Sequence, residues 1–369
     1  MEKKDRIQQE AEESWLKTNN GTLAIATGVG KTKIAINIMK KLYTENSRFL
    51  LAVPTENLRD KIWLEECEKW DSKYIYDKLA RECYVNLSKI KGQEFDLVIL
   101  DEGHRLTELS YEFFTNNKIK HILALTATPP KDITKSNLLN SIAPIVFTYT
   151  LEQGIEDGII TPFKINVIDL VLDNSEKYIK AGTKDKPFFQ TEQAQYEYLN
   201  KRVSQSYYSN HKDAVKFATL ARMRFIYDLK SKTNVAKHIL KHYIKDQRSL
   251  IFCGSINQAE ELSPYTYHSK TDDKDLINFK SKKINQLSCV QALNEGENVP
   301  DIDSCVITQL KSKDHHIIQQ IGRVVRWRED HTADIWLLRT LNTVDETWVN
   351  TALAGFDKSL INYTYFKNL

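Results

Sequence analysis

Short runs of apolar residues, each followed by a longer polar stretch, recur along the chain. Four of them in the N-terminal part are rich in β-branched residues and are predicted to be buried strands, at residues 23–26, 49–53, 97–100 and 121–125. Strands that are apolar on both faces are typical of a parallel sheet covered by helices. The pattern therefore predicts an α/β domain with helices on both faces of its sheet.

The same alternation returns in the C-terminal part and predicts a second α/β domain. Its strands are expected at residues 165–171, 249–252, 286–290, 304–308 and 334–338. Between the two sets lies a short segment with two glycines and a proline, which favour an irregular connection. We therefore predict a first domain over residues 1–150, a linker over 151–164 and a second domain over 165–369.

A polar, aromatic-rich stretch almost free of Gly and Pro precedes the second strand of this second domain. Its apolar residues recur at helical spacing, which predicts a helical insertion over about residues 178–248. Between Lys201 and Arg248 there are twelve Lys or Arg against three Asp, a local charge of +9 in a chain whose net charge is +3. Such a basic block predicts a polyanionic partner.

Basic and aromatic side chains are interleaved in this insertion. That composition is typical of a groove that neutralises phosphates and stacks bases. We predict that Arg222 and Arg224 contact nucleic acid, because few nearby acids compensate their charge. Phe217 and Phe225 are instead predicted to be core residues of an amphipathic helix pair.

Composition indicates a soluble globular protein. The 369 residues exceed the usual size of one domain, and no apolar run reaches the roughly 18 residues that a membrane span requires. The five cysteines follow neither a disulfide nor a zinc pattern, and the N-terminus resembles neither a signal peptide nor a transit peptide. We expect buried thiols, no membrane contact and a cytoplasmic location, in a bacterial or phage-infected cell according to the Lys-rich bias.

A glycine-rich turn follows the first predicted strand. Residues 26–32 read Ala-Thr-Gly-Val-Gly-Lys-Thr and open a helical stretch; the full Walker pattern has Gly where this chain has Ile25. Small residues let backbone N–H groups converge on phosphate at a helix N-terminus, and a lysine and a hydroxyl then reach the β and γ phosphates and Mg²⁺. The predicted nucleotide-binding residues are Thr27, Gly28, Val29, Gly30, Lys31 and Thr32, with Thr32 also a metal ligand.

Two carboxylates end the third predicted strand. Residues 97–102 read Leu-Val-Ile-Leu-Asp-Glu. The carboxyl ends of parallel strands line one crevice, where this pair is expected to meet the glycine-rich turn. Asp101 is predicted to hold Mg²⁺, and Glu102 to orient and deprotonate the attacking water.

Residues 101–104, Asp-Glu-Gly-His, resemble the DExH signature of superfamily 2 helicases, and further stretches are similar to that family's motifs in the family's order. They are residues 52–58 (Ala-Val-Pro-Thr-Glu-Asn-Leu), 125–129 (Leu-Thr-Ala-Thr-Pro), 292–300 (Ala-Leu-Asn-Glu-Gly-Glu-Asn-Val-Pro) and 319–326 (Gln-Gln-Ile-Gly-Arg-Val-Val-Arg). Any one motif is weak, whereas six in order are specific. The resemblance is strongest to the compact branch with type III restriction subunits and UvsW-like and XPB-like translocases.

The resemblance implies two tandem RecA-like domains with an ATP cleft between them. Gln8 corresponds to the residue that reads adenine in many relatives, and Gly296 contributes to the nucleotide site. Asn86 and Asn298 stand where relatives usually carry Thr and Asp. Nucleic-acid contacts are implied for Pro54, Thr55 and Asn86, coupling of phosphate to strand for His104, Thr126 and Thr128, and catalytic roles for Gln319, Arg323 and Arg326.

Arginine is scarce, with thirteen Arg against thirty-nine Lys, yet three arginines fall between residues 323 and 328. Lysine supplies solubility equally well, so the cluster indicates a need for the planar, bidentate guanidinium. We predict that Arg326, with Arg323, neutralises the γ-phosphate in the transition state. An acid-paired surface patch is the alternative, because Glu329 and Asp330 follow directly.

These observations predict a nucleic-acid-stimulated ATPase that uses ATP and Mg²⁺ to move along nucleic acid as a helicase or translocase. DNA is favoured over RNA as the partner, and a partner protein is expected to supply specificity. Three alternatives stay open: a duplex translocase that does not unwind, an RNA helicase, and a catalytically silent nucleic-acid-binding subunit of a restriction or defence complex.

Overall fold

The computed structural model describes residues 2–130, 132–209, 213–290, 299, 301–310, 321 and 331–368. These residues divide into two compact units, of which the first extends to Pro162 and the second begins at Phe163. Each unit is built on its own parallel sheet. The α/β class predicted from the alternating pattern is confirmed for both.

The first unit contains a six-stranded sheet in the order β3-β2-β4-β5-β1-β6, in which every neighbouring pair is parallel. All four strands predicted here are present, at β1, β2, β4 and β5. The two others lie at the sheet edges, where most of their side chains are exposed or half-buried. The strands are β1 (Asn20–Ile25), β2 (Phe49–Val53), β3 (Ala80–Cys83), β4 (Glu94–Asp101), β5 (Lys118–Thr126) and β6 (Ile145–Tyr149).

Helices cover both faces of this sheet. On one face Phe113 packs with Leu50, Val98 and Leu100 in a buried cluster, and on the other the Trp15 indole donates a hydrogen bond to the Ile122 carbonyl at 3.0 Å. The α-helices are α1 (Lys3–Thr18), α2 (Lys31–Leu42), α3 (Trp63–Lys69), α4 (Lys73–Lys78), α5 (Glu108–Asn116), α6 (Ile133–Ile142) and α7 (Leu151–Glu156). A π-helix (Leu58–Ile62) and two 3-10 helices (Tyr84–Lys89 and Gly103–Arg105) complete the unit.

The second unit contains a seven-stranded sheet in the order β11-β12-β10-β13-β14-β7-β15, again with parallel neighbours throughout. The five predicted strands are confirmed as β7, β10, β12, β13 and β14. The strands that the apolar pattern missed, β11 and β15, are once more the two edges. The strands are β7 (Phe163–Leu170), β10 (Ser249–Phe252), β11 (Thr266–Tyr267), β12 (Gln286–Cys289), β13 (Ser304–Ile307), β14 (Ala333–Thr340) and β15 (Ile361–Tyr365).

The α-helices of the second unit follow the insertion and then alternate with its strands. They are α8 (Glu192–Ser206), α9 (Ala214–Tyr227), α10 (Lys230–His242), α11 (Ile256–Leu262), α12 (Lys274–Lys280) and α13 (Val344–Leu353). Short 3-10 helices occupy Lys358–Leu360 and Phe366–Asn368. Among the described residues, none of the helices combines the length and apolar character that a membrane span requires.

The predicted helical insertion is wrong over its first dozen residues. They form an antiparallel hairpin of β8 (Ile179–Gly182) and β9 (Pro187–Gln190), whose turn begins at Gly182 with φ +89°. A glycine in that left-handed conformation favours a turn and interrupts a helix. The last helix of the predicted insertion, α10, is part of the second α/β core, because its apolar face packs on the second sheet.

Candidate functional site

The glycine-rich turn lies at the carboxyl end of β1. Gly28 (φ +93°) and Gly30 (φ +102°) both adopt left-handed backbone conformations, and α2 begins directly afterwards at Lys31. A Cβ added at Gly28 would have no heavy atom within 4 Å, so the turn surrounds open space. Ile25, which replaces the Gly of the full Walker pattern, is the fully buried last residue of β1.

Helix α1 supports the turn from behind. Gln8 is buried and donates from Nε2 to the Val29 carbonyl at 2.6 Å, while Lys4 Nζ donates to the Gly28 carbonyl at 2.9 Å. A Cβ at Gly30 would lie 2.6 Å from Gln8 Nε2, so only glycine fits there on both conformational and steric grounds. The two bonds orient carbonyls toward α1 and hold the turn in shape.

Several groups at the turn can hold an anion. Thr27 Oγ1 is a buried hydroxyl without a hydrogen-bond partner in the part of the chain that the structure describes, so it can donate to a phosphate oxygen. Gln8 Oε1 is buried and unpartnered as well, but an amide oxygen only accepts hydrogen bonds and suits a donor group of a ligand. Within the same residues, Lys31 forms no ion pair or hydrogen bond, and Thr32 lies beside it in the first turn of α2. A cationic head and open N–H groups at a helix N-terminus are the chemistry that holds phosphate.

The two carboxylates occupy the carboxyl end of β4. Asp101 is buried, and its Oδ2 accepts a hydrogen bond from Trp63 Nε1 at 2.9 Å while its Oδ1 accepts one from the Glu102 N–H at 3.0 Å. Glu102 has φ +54°, a left-handed conformation that a non-glycine residue adopts at a cost. Such strain is concentrated at functional sites, where it holds a side chain in a required direction.

A chain of polar contacts leads from Glu102 into the sheet. His104 is buried, and its Nδ1 lies 3.4 Å from Glu102 Oε2 and 3.1 Å from Thr126 Oγ1. Thr126 Oγ1 also accepts from the Thr128 N–H at 3.1 Å. Because β5 lies between β4 and β1, these residues connect the carboxylates with the strand beside the glycine-rich turn.

The residues predicted to contact a nucleic-acid backbone follow β2 and β3 at the same carboxyl end of the sheet. Pro54 and Thr55 come directly after β2, and Thr55 Oγ1 accepts from the Leu58 N–H at 3.4 Å. Asn86 is part of the 3-10 helix after β3 and donates from Nδ2 to Glu82 Oε1 at 3.0 Å. In the first unit the predicted site segments that follow strands therefore all lie at the carboxyl end of the sheet.

Two residues that sequence reasoning missed join this site. Trp63 reaches the Asp101 carboxylate, and the buried Tyr84 donates from its hydroxyl to the Asp101 carbonyl at 2.9 Å. In the sequence each is only one more apolar aromatic of an amphipathic stretch. No signal in the pattern separates them from core residues, because only the folded chain brings them to Asp101.

The basic insertion is placed differently from the prediction. Phe217 is 67% exposed, so its predicted core position is wrong, whereas Phe225 packs against the buried cluster around Tyr196 as expected. Arg222 is partly buried and donates from Nη1 to Asn200 Oδ1 on α8; Arg224 is exposed. The two arginines therefore have different surroundings on the same helix.

Several predicted residues receive no placement. Gly296, Asn298, Gln319, Arg323 and Arg326 lie outside the described residues. The described part contains no group of three or more His, Cys, Asp or Glu side chains that could hold a metal ion. All five cysteines are free and buried, as predicted, and burial raises the pKa of the Cys253, Cys289 and Cys305 thiols.

Family models match both halves of the chain. The model of the type III restriction enzyme res subunit matches residues 3–131, which contain the glycine-rich turn and the two carboxylates. The model of the helicase conserved C-terminal domain matches residues 231–328, which include the arginine cluster. Two separate family models thus match the N-terminal and the C-terminal part of the chain.

Known proteins similar to this chain point the same way. It is 24% identical over 93% of its length to the DNA 3'-5' translocase XPB2 of Sulfurisphaera tokodaii, and covers 84% of that protein. It is 23% identical over 66% of its length to the type I restriction enzyme EcoAI endonuclease subunit of Escherichia coli, of which it spans 31%. The solved structure of the Type ISP restriction-modification enzyme LlaBIII bound to DNA matches 97% of the chain with a TM-score of 0.62 at 15% identity, and the match covers 31% of that enzyme.

Proposed function

The chain belongs to superfamily 2 of helicases and translocases, and we propose from this premise that it is a DNA-stimulated ATPase that moves along DNA. ATP-dependent action on nucleic acid is the property of the family. Stimulation by the strand, the choice of DNA and the use of Mg²⁺ are our proposals. So are a cytoplasmic location and a partner protein that supplies specificity.

One observation carries the proposal: an open glycine-rich turn, supported by α1, lies at the same carboxyl end of the sheet as two carboxylates, of which Glu102 has a strained backbone. The buried, unpartnered Thr27 Oγ1 and the space around Gly28 fit a triphosphate. Lys31 would hold the phosphates, while Thr32 and Asp101 would hold Mg²⁺. When bound, Mg²⁺ neutralises charge on the phosphate oxygens.

Glu102 is the residue proposed to activate water. Its carboxylate accepts a proton from the attacking water, and its left-handed backbone together with His104 fixes the direction of that carboxylate. His104 in turn contacts Thr126, which lies in the motif assigned to coupling. A shift of Glu102 is thereby transmitted to β5, and a shift of β5 to Glu102.

The C-terminal half of the chain is proposed to complete catalysis through Arg326, assisted by Arg323 and Gln319, with Gly296 at the nucleotide. The support is the match of the helicase C-terminal model across the arginine cluster and the scarcity of arginine elsewhere. A bidentate guanidinium stabilises the charge of a transferring phosphoryl group better than a lysine does.

DNA is proposed as the partner because the relatives named above act on DNA, as a translocase and as restriction enzymes. The test is ATP hydrolysis by the purified chain with duplex DNA, single-stranded DNA and RNA of equal length, each at several concentrations. We expect the largest stimulation with one of the two DNA substrates. Stimulation by RNA alone would contradict DNA as the partner and indicate RNA instead.

Glu102→Gln is the control for that assay. It should reduce turnover by about 10² to 10⁴, the range for loss of a general base, while ATP still binds. A triplex substrate then separates translocation from unwinding, because a translocase displaces the third strand while the underlying duplex stays paired. Hydrolysis that is unaffected by Glu102→Gln, or absent from the wild type with every nucleic acid, would contradict the proposed function.

A further inference from the structure

The two segments assigned to nucleic acid in the first unit both reach back to one residue of the ATP site, Asp101. The inference drawn from this rests on the function proposed above and concerns how that function is regulated. One segment follows β2 and the other follows β3, so the two contacts to Asp101 come from different parts of the chain.

The segment after β2 reaches the Asp101 carboxylate. Trp63 is fully buried, and its indole N–H donates to Asp101 Oδ2 at 2.9 Å. A carboxylate in a buried site keeps one orientation only if its oxygens are held, and a hydrogen bond to a charged acceptor is among the stronger ones. The position of Trp63 therefore bears directly on the direction of a proposed Mg²⁺ ligand.

Trp63 is connected rigidly to the predicted backbone contact. Thr55 caps the start of the following turn through its hydroxyl, and its carbonyl accepts from the Arg59 N–H at 3.1 Å. The π-helix Leu58–Ile62 then leads without a break into α3, which begins at Trp63. A π turn encloses one more residue than an α turn and is frequent at functional sites, and here it sets the rotation of the helix that carries the indole.

The segment after β3 reaches the backbone of the same aspartate. Tyr84 starts the 3-10 helix that contains Asn86, and its hydroxyl donates to the Asp101 carbonyl at 2.9 Å. The two segments are also tied together, since Glu82 accepts from Asn86 at 3.0 Å and lies 3.6 Å from the Arg59 guanidinium. A displacement at either predicted backbone contact is thus shared by both.

We infer that Trp63 and Tyr84 are positioning residues that couple a nucleic-acid backbone bound at Thr55 and Asn86 to the orientation of Asp101. A bound strand fixes the two segments, the segments fix Asp101, and hydrolysis accelerates. The same contacts also connect the two binding equilibria: whatever factor a bound strand applies to the nucleotide affinity, bound nucleotide applies to the affinity for the strand.

The test replaces each donor by a ring of similar size that lacks it, Trp63→Phe and Tyr84→Phe, in the full chain. Trp63→Phe should lower the factor by which duplex DNA stimulates hydrolysis by about tenfold, within the usual range of coupling between sites. It should also reduce the change in duplex affinity that a nonhydrolysable ATP analogue produces, as measured by fluorescence anisotropy. Tyr84→Phe should act in the same direction and more weakly, because it holds a backbone carbonyl.

Two controls remove the hydrogen bond of a buried Trp and of a buried Tyr elsewhere in the same unit, with the carboxylate and carbonyl acceptors exchanged. Trp15 is equally buried and donates its indole N–H to the Ile122 carbonyl, and the buried Tyr149 donates its hydroxyl to Asp157 Oδ2 at 2.8 Å. Trp15→Phe and Tyr149→Phe should keep the stimulation factor and the effect of the analogue. Any loss of packing common to all four variants appears in the controls as well.

The outcomes separate this inference from the proposed function. Suppose that DNA stimulates the wild type, and that Trp63→Phe and Tyr84→Phe keep stimulation factors as large as those of their controls. That result overturns the inference and leaves the proposed function intact. A wild type that no nucleic acid stimulates overturns the proposed function and this inference with it. If Trp63→Phe does not fold, Tyr84→Phe against Tyr149→Phe decides.

Discussion

Each of the two units has a buried or half-buried lysine near the carboxyl ends of its parallel strands, and the two lysines differ in whether they have partners. In the first unit Lys31 has no ion-pair or hydrogen-bond partner within the described residues, and it directly follows the open glycine-rich turn. In the second unit Lys232 is fully buried at α10, with its Nζ 2.7 Å from Asp345 Oδ2 and 2.8 Å from Gln309 Oε1.

The second network is closed on itself. Gln309 follows β13 and donates from Nε2 to Asp345 Oδ1 at 3.0 Å, while the Thr340 N–H at the end of β14 donates to Asp345 Oδ2 at 2.8 Å. Burial lowers the pKa of Lys232 below its ordinary value, and the Asp345 carboxylate opposes that shift. Both charges are neutralised inside the unit, so this lysine holds helices and strands together.

The difference shows two roles for polar groups at the carboxyl ends of parallel strands. Polar groups that find partners within the chain contribute to stability, and polar groups left open bind a ligand. Substitutions at the two lysines should therefore separate loss of function from loss of stability.

The largest effect is expected for the open lysine. Lys31→Ala should abolish ATP turnover and weaken nucleotide binding, because no other described side chain of the turn supplies a cation to the phosphates. Its melting temperature should stay near that of the wild type. Isothermal titration with ATP and a thermal melt check both statements, and a strongly destabilised Lys31→Ala would break the comparison.

A slightly smaller loss is expected at Arg326. Arg326→Lys keeps the charge and loses the planar fork, so turnover should fall by about 10³ or more with little change in ATP affinity. Single-turnover hydrolysis measures this. Hydrolysis near the wild-type rate would transfer the role to Arg323.

Lys232→Met tests the closed network. Removing one partner of a buried ion pair leaves an uncompensated charge at Asp345, which costs about 3 to 5 kcal/mol. Hydrogen exchange of peptides from β10 and β13 reports the stability of the second unit. The matched control is Lys237→Met on the same helix, whose exposed pair with Glu261 at 2.7 Å is worth about 0.2 to 1 kcal/mol. Equal losses in the two variants would refute the assigned difference.

The smallest effect concerns the exposed arginine of α9. Arg224→Ala should reduce the slope of log K against log salt for duplex binding by about 0.9, the value for one phosphate contact. Arg222 and Arg224 replaced together should reduce it by up to about two if both contact phosphate. An unchanged slope in Arg224→Ala and in the double variant would remove this helix from the nucleic-acid surface.

The sequence by itself determined every central strand and the chemistry of the nucleotide turn. The runs at residues 49–53 and 249–252 are apolar throughout because parallel strands in the middle of a sheet are covered on both faces. The turn around Gly28 and Gly30 could be recognised for a similar reason, since phosphate binding requires a local backbone shape that few residues allow.

Only the tertiary structure decided the rest. The edge strands β3, β6, β11 and β15 carry polar or half-exposed residues, because a strand with one neighbour need not be apolar on both faces. Phe217 has the helical spacing of a core residue, yet its side chain is mostly exposed. Trp63 and Asp101 are 38 residues apart in sequence, and Lys232 and Asp345 are farther apart still. Such pairs depend on how whole elements pack, which no local pattern of apolar and polar residues encodes.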